Sequence, residues 1–180
     1  PETVELLKRG DISNGRIKKK DLEMREKLMA VGWETKECDA IKDVFNYCIL
    51  MDQTRGIVQI NEIMELVLDM FEDVMNSGPL AREPCVGVKV RLMDCKLHED
   101  TIHRGPAQMY PAVRDGIREA IRLATPVMFE PVQTLRFEAP VEYMGEISKL
   151  ISNKRGQLLD MQQEGEMITV LGKLPVGEMF

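Results

Sequence analysis

The stretch Val86-Gly-Val-Lys-Val-Arg-Leu92 decides the fold of the first part of the chain. Every second residue in it is apolar, which predicts a β-strand with one covered face, continuing to about Leu97. The apolar positions change parity at Met93, so we expect a β-bulge or bend that re-aims the end of the strand. A run with helical periodicity follows from Pro111 to Ala124, with the proline in its first turn. The segment between strand and helix is therefore predicted to be a presented loop.

Helices are expected before this strand. The sequence predicts charged helices from Glu2 to Arg9, from Arg16 to Val31, and from Thr35 to about Tyr47. A turn from Met51 to Gly56 then opens a long amphipathic helix, because apolar residues three and four apart run from Ile57 to Val74. The methionines of this helix are expected to fill the core.

A second unit begins after Thr125-Pro126, so we assign residues 1–125 and 126–180 to two domains. An alternating strand from Leu135 to Ala139 comes first, a helix from Pro140 to Gly156 follows, and a hairpin of two strands ends the chain. This βαββ order is most of a ferredoxin-like unit, which needs one more helix and strand. The chain as a whole is predicted to be an α+β protein.

The incomplete βαββ pattern suggests that part of the second sheet is uncovered. We expect Leu135, Phe137, Ile168 and Val170 to lose cover, and one strand edge to remain unpaired. The chain also begins at a proline without an initiator methionine. We therefore expect it to be a piece of a longer protein.

Composition narrows the class of protein. The 180 residues are 44% hydrophobic and 30% charged, which is ordinary for a globular protein. A net charge of -6 argues against a generally basic nucleic-acid coat, although a local basic stripe can still contact phosphate. The four cysteines lack the paired spacing of zinc sites, and no signal peptide or long apolar span occurs. We therefore expect reduced thiols, a cytoplasmic protein and no membrane partner.

The loop from His98 to Gln108 holds both histidines of the chain. A metal site built on His98, Asp100 and His103 is one interpretation, and it would make the chain a small metal-dependent enzyme. The histidine spacing suits neither a helical site nor a zinc finger, and the sequence has no third histidine. It also has no histidine-activated nucleophile near the loop and no P-loop. We therefore expect no catalytic residue, metal or cofactor in this chain.

RNA recognition is the function that the loop residues favour. Arg104 can fork onto phosphate, Asp100 and Gln108 can bond to base and sugar edges, and imidazole can stack on unpaired bases. These are the contacts that proteins use for structured or single-stranded RNA.

Two basic stretches outside the loop are open to two interpretations each. In the first, an arginine recurs every four residues of a helix, and the arginines form either a solvated stripe or an edge that faces phosphate. Its members are Arg114, Arg118 and Arg122. The second stretch is the three lysines at 18–20, which are either solvated surface or an RNA contact.

The loop and several other segments resemble one known family. Leu97-His-Glu-Asp-Thr-Ile-His-Arg-Gly-Pro-Ala-Gln108 closely resembles the tip of domain IV in the translation elongation factor 2 family. Further segments are similar to that family in the same order: Gly32-Trp33-Glu34, Met51-Asp-Gln-Thr-Arg-Gly56, Gly78-Pro-Leu80, Cys85-Val-Gly-Val-Lys-Val90, Asn153-Lys-Arg-Gly-Gln157 and Leu174-Pro175-Val176. Pro106-Ala107 stands where eukaryotic members carry glycines, so the chain resembles the archaeal form.

The resemblance implies a fold and a modified residue. It implies a domain similar to the second domain of ribosomal protein S5, followed by an incomplete ferredoxin-like domain V. The residue that matches His103 is converted to diphthamide in that family, by dedicated synthesis enzymes, and is then a target of ADP-ribosylating toxins of the diphtheria type. The tip-loop recognition residues implied here are His98, Asp100, Ile102, Arg104, Gly105 and Gln108.

The resemblance also implies partners. The tip is expected to meet the codon–anticodon helix of tRNA and mRNA in the decoding centre during translocation. Domain V is expected to rest against ribosomal RNA and the stalk base, which makes Lys149, Lys154 and Arg155 candidates for phosphate contact. The parent is a GTPase that uses GTP and Mg, whereas this chain is expected to bind rather than catalyse. A free-standing RNA-binding module of the ferredoxin type is a further alternative.

Overall fold

The computed structural model describes residues 2–179. The chain forms two compact units, residues 1–126 and residues 127–180. Helices and strands occur in both units, which confirms the α+β fold class expected from the sequence.

The first unit is built around a four-stranded sheet in the order β1-β2-β3-β4. Strands β3 and β4 are parallel, and the other neighbours are antiparallel. The strands are β1 (Gly15–Arg16), β2 (Ile41–Phe45), β3 (Cys48–Asp52) and β4 (Lys89–Leu92). The helices are α1 (Glu2–Arg9), α2 (Leu22–Ala30), α3 (Thr35–Asp39), α4 (Ile60–Asn76) and α5 (Pro106–Leu123).

Strand β3 lies between two hydrophobic clusters, because its side chains alternate between the two faces of the sheet. Cys48 and Leu50 belong to the cluster that contains the buried residues of α4 and α5. Ile49 and Met51 belong to the cluster that contains Leu28 of α2 and the buried residues of α1 and α3. The sheet of the first unit is thus covered by helices on both faces.

The long amphipathic helix predicted from the sequence is confirmed. Helix α4 begins at Ile60, three residues later than the first residue of the apolar stripe, and ends at Asn76. Its stripe is buried, and Met64 and Met75 lie in the core as expected. Helix α4 connects β3 to β4, and its apolar face packs against α5.

Two of the predicted N-terminal helices are wrong in extent. Residues 16–21 are not helical, because Arg16 pairs with β2 and with acids of α4, and the Asp21 carboxylate then caps α2 through the Met24 N–H at 2.9 Å. The segment after Thr35 is a single short helix followed by the hairpin of β2 and β3. Asn46 and Tyr47 form its two-residue turn with φ of 48° and 61°, which the right-handed twist of a hairpin favours.

The surroundings of the loop also differ from the prediction in two ways. The regular strand covers only Lys89–Leu92, and residues 93–97 are not part of a strand, so the sheet pairing ends where the apolar parity changes and β4 contains no bulge. Helix α5 starts at Pro106 instead of Pro111. Pro111 is tolerated inside the helix because the carbonyl that its missing N–H would have bonded belongs to Ala107, an exposed residue that water can reach.

The second unit is a three-stranded antiparallel sheet covered by one helix. The order along the chain is β5 (Val132–Pro140), α6 (Met144–Asn153), β6 (Gln157–Glu164) and β7 (Met167–Pro175). Strand β7 lies between β5 and β6. The βαββ order predicted from the sequence is confirmed.

The expected loss of cover in this sheet is wrong for two residues. Ile168 and Val170 are buried in a cluster with Ile151 of α6, because they lie on the central strand under the helix. Leu135 and Phe137 lie on the neighbouring edge strand and are half-buried against the same cluster. Helix α6 therefore covers the middle of the sheet.

An acidic cluster in the first unit surrounds one arginine. The Arg16 guanidinium lies 2.7 Å from carboxylate oxygens of Glu65, Asp69 and Glu72, all on α4. Asp43 of β2 lies beside this cluster and is only 1% exposed, and among the described residues its carboxylate has no hydrogen-bond partner. Burial, assisted by the nearby charge of Glu72, raises the pKa of Asp43 to about 6.

Asp43 should therefore make the first unit less stable as the pH rises. Between an unfolded pKa near 4 and the folded value of about 6, the folded chain keeps a proton that the unfolded chain has lost. Wild-type stability should fall across this window, whereas Asp43→Asn lacks that fall. The free energy of unfolding of the variant minus that of the wild type should rise by roughly 2 to 3 kcal/mol from pH 4 to pH 7.

Urea unfolding followed by fluorescence measures this difference, since the single tryptophan, Trp33, lies in the first unit. Asp73→Asn is the matched control, because Asp73 is an exposed acid on α4. This variant controls for the removal of one carboxylate charge from the first unit. Parallel pH profiles for Asp43→Asn and the wild type would contradict the prediction.

Candidate functional site

The tip loop, defined here as residues 98–105, joins the segment after β4 to α5. Its centre is one turn of 3₁₀ helix from Thr101 to His103. The Asp100 carboxylate caps this turn, accepting a hydrogen bond from the Ile102 N–H at 3.0 Å. Asp100 therefore holds the backbone of the loop, while the Ile102 side chain is 72% exposed.

The two histidines of the tip loop are in contact. Their ring centroids lie 4.5 Å apart with an interplanar angle of 69°, an edge-to-face arrangement. The Asp100 N–H donates to Nδ1 of His98 at 3.1 Å, so this nitrogen is the acceptor of a backbone hydrogen bond. His98 is thus fixed to the loop backbone, and His103 is an exposed ring that rests on it.

Arg104 is the buried residue of the tip loop. Its side chain is 7% exposed, and Nη2 lies 2.8 Å from Oε2 of Glu62 in the first turn of α4. Nη1 also donates to the His98 carbonyl at 3.2 Å. Both ends of the guanidinium are thus engaged inside the protein, and the expected fork of Arg104 onto phosphate stays a prediction.

Glu62 is the residue of the site that sequence reasoning missed. An acid in the first turn of a helix is favoured by the helix dipole and needs no further explanation. Its partner lies far along the chain, so neither spacing nor periodicity indicates the pair. Knowing that β3 and β4 are parallel would have indicated it, since that pairing brings the start of α4 and the loop after β4 to the same end of the sheet.

Gly105 and Gln108 lie where the tip loop becomes α5. The Gly105 carbonyl accepts hydrogen bonds from the N–H groups of Gln108 at 3.1 Å and Met109 at 2.9 Å, which starts the helix. Pro106 occupies the first turn, where its missing N–H costs nothing. The Gln108 side chain is exposed next to the loop and remains available to a ligand.

The arginine stripe of α5 divides into two environments. Arg114 and Arg118 are half-buried, and Arg118 donates to the Ser77 carbonyl at the end of α4 at 3.4 Å. Arg122 is exposed and pairs loosely with Glu119 on its own helix, at 3.5 Å. The structure therefore does not present the three arginines as one open edge.

The basic residues of the second unit are also unlike one another. Lys154 donates to the Glu178 carbonyl, and Arg155 pairs with Glu130 at 2.7 Å and with Glu178 at 2.8 Å. These two cations have partners within the unit, and their expected contact with phosphate stays a prediction. Lys149 is exposed on α6, and within residues 127–179 no ion pair to it is formed.

Metal-binding geometry is not found in the part of the chain that the structure describes. No group of three histidine, cysteine, aspartate or glutamate side chains there is placed to hold an ion. Cys38, Cys48, Cys85 and Cys95 are free thiols, and burial raises the pKa of each. Among residues 2–179, no helix combines the length and the apolar character needed to cross a membrane.

Comparison with known proteins covers the whole chain. The family "Elongation factor G, domain IV" matches residues 10–125, and "Elongation factor G C-terminus" matches residues 127–180. Elongation factor 2 of Methanococcoides methylutens is 47% identical over 180 residues, which are 100% of this chain and 24% of that protein. Elongation factor 2 of Pyrococcus horikoshii is 44% identical over 179 residues, 99% of this chain and 24% of that protein.

A third archaeal relative agrees with these two. Elongation factor 2 of Methanococcus aeolicus is 47% identical over 163 residues, 91% of this chain and 22% of that protein. The chain thus spans about a quarter of the length of the curated relatives that it matches. Its two matched families have the fold of the second domain of ribosomal protein S5 and the ferredoxin-like fold, which confirms the expectation from the sequence. The chain belongs to the family of translation elongation factors G and 2, and it carries their domain IV and C-terminal domain.

Proposed function

We propose that this chain is the part of a ribosomal translocase that enters the decoding site and promotes movement of tRNA and mRNA. The observation that carries the proposal is the exposed ring of His103, held at the end of a capped turn whose base is anchored by Arg104. The match of this region to domain IV of elongation factor G supports it. A fixed loop with an accessible imidazole suits docking against RNA.

The proposal extends to a modification of His103. An exposed ring leaves room for a bulky extension such as diphthamide and gives diphthamide-synthesis enzymes access to it. ADP-ribosylating toxins would then act on the extended side chain. His98 has a different role in this proposal, because its Nδ1 is already engaged by the Asp100 N–H.

Ribosomal RNA is the proposed partner of both units. In the first unit, Arg122 is the exposed arginine of the α5 stripe and pairs only loosely with Glu119 of its own helix, while Arg114 and Arg118 are proposed to have mainly a packing role. In the second unit, Lys149 is the proposed contact with RNA near the stalk base. Arg104, Lys154 and Arg155 are proposed to stabilise the protein rather than the complex.

Nucleotide chemistry is proposed to lie outside this chain. The sequence has no glycine-rich phosphate loop with its lysine and magnesium-binding hydroxyl. In a whole factor of this family, GTP and Mg would be bound by another domain. The present chain would transmit the conformational change that follows GTP hydrolysis to the decoding site. The proposed location of the chain is the cytoplasm, where ribosomes translate.

Replacing His103 should remove the toxin target. In the full-length factor purified from a host that makes diphthamide, His103→Ala should abolish toxin-dependent ADP-ribosylation, because the acceptor ring is gone. Radiolabelled NAD and mass spectrometry of the tip peptide measure this result. His98→Ala is the matched control: it keeps the acceptor and should still be labelled, although more slowly. Labelling of the His103→Ala protein would overturn the assignment.

Neutralising Arg122 should make ribosome binding less dependent on salt. Loss of one phosphate contact releases one counterion fewer, so the slope of log affinity against log salt should flatten by about 0.7 to 0.9. Filter binding of the Arg122→Gln chain to ribosomes over a range of salt concentrations gives this slope.

Arg118→Gln is the control for the salt experiment. Its guanidinium bonds to the Ser77 carbonyl, so this variant should lose stability and keep the wild-type slope. Equal slopes for Arg122→Gln and the wild type would assign Arg122 to the solvated surface.

A further inference from the structure

We propose that Glu62, in the first turn of α4, is the positioning residue for His103 and acts on it through Arg104 and His98. This inference rests on the proposed role of His103. It identifies a residue outside the tip loop on which the geometry of the loop depends.

The tip loop has little hydrophobic burial of its own. Every residue from His98 to His103 is exposed, and the apolar Ile102 is 72% exposed. Arg104 alone in the loop is buried. Apolar packing therefore cannot fix this loop, and its order has to come from polar contacts.

The Arg104 guanidinium connects α4 to the base of the loop. Nη2 lies 2.8 Å from the Glu62 carboxylate, and Nη1 donates to the His98 carbonyl at 3.2 Å. Because the arginine is buried, removing its carboxylate leaves a desolvated charge that a single carbonyl cannot compensate. Glu62 is 51% exposed, so the loss is smaller than for a fully buried pair.

Two routes lead from Arg104 to the His103 ring. The backbone route runs through the Arg104 N–H, which donates to the Thr101 carbonyl at 2.9 Å and closes the 3₁₀ turn. The side-chain route runs through His98, whose carbonyl bonds to Arg104 and whose ring packs against His103 at 4.5 Å. A shift of the guanidinium therefore moves both the turn and the surface on which His103 rests.

The other acids on the same side of α4 have a different partner. Glu65, Asp69 and Glu72 lie around Arg16 at 2.7 Å each. Glu62, one turn earlier, faces the tip loop instead. Helix α4 thus offers a matched pair of substitutions, Glu62→Gln and Glu65→Gln. Each replaces a carboxylate by an amide of the same shape, at positions one turn apart.

The test is loop order, measured in the 180-residue chain by NMR. The chain has two histidines, so their side-chain signals are assigned by one substitution. With Glu62→Gln, hydrogen exchange at the amides of Ile102 and Arg104 should speed up by about tenfold or more, and the nuclear Overhauser effects between the two imidazoles should weaken. With Glu65→Gln, both should stay at wild-type values, since Arg16 keeps two other carboxylates.

A conservative variant and a second readout separate positioning from general stability. Glu62→Asp keeps the carboxylate and should restore part of the lost protection. In the full-length factor, Glu62→Gln should slow toxin-dependent labelling of His103 several-fold without abolishing it. In the 180-residue chain, Trp33 fluorescence should show that the first unit of this variant remains folded.

Failure of this inference and failure of the proposed function look different. Wild-type exchange and wild-type imidazole contacts in Glu62→Gln would overturn the positioning role, whatever the labelling shows. Labelling of the His103→Ala factor would overturn the proposed function. The loop measurements on Glu62→Gln would still decide whether Glu62 positions the loop.

Discussion

The parallel pairing of β3 with β4 is the constraint on which the rest of the first unit depends. Parallel neighbours cannot be joined by a tight turn, so the chain crosses over through a long helix, here α4. Both strands then end at the same edge of the sheet, where Asp52 lies opposite Leu92. The helix starts at that edge, and the loop after β4 leaves from it. The meeting of Glu62 with Arg104 follows from this topology, although the two residues are distant in sequence.

Sequence reasoning succeeded where one periodicity dominates. Helix α4 and the βαββ order of the second unit were predicted because a long apolar stripe or a strict alternation has one structural solution. The hairpin of β2 and β3 was missed because β3 is buried on both faces and shows no alternation. For the site, the pattern predicted which segment is presented. It could not predict the partner of Arg104, since ion pairs across a fold leave no local signal.

Internal partners of basic residues are hidden from the sequence for a related reason. Sequence displays every arginine as a free cation, whereas the fold places carboxylates next to several of them. Arg16, Arg104 and Arg155 each face acidic side chains of the same unit. A planar guanidinium with several donors is well suited to join separate segments of chain, and it does so in both units. A basic residue can therefore be assigned to an RNA contact only after its ion pairs within the protein are known.

The exposed Ile102 has an energetic consequence for docking. In the free chain this branched side chain lies in water at the middle of a loop with no other large apolar side chain. A binding surface that removes it from water gains about 1 to 2 kcal/mol, without any hydrogen bond. Burial of Ile102 would therefore add affinity for a partner without adding a hydrogen-bond requirement to it.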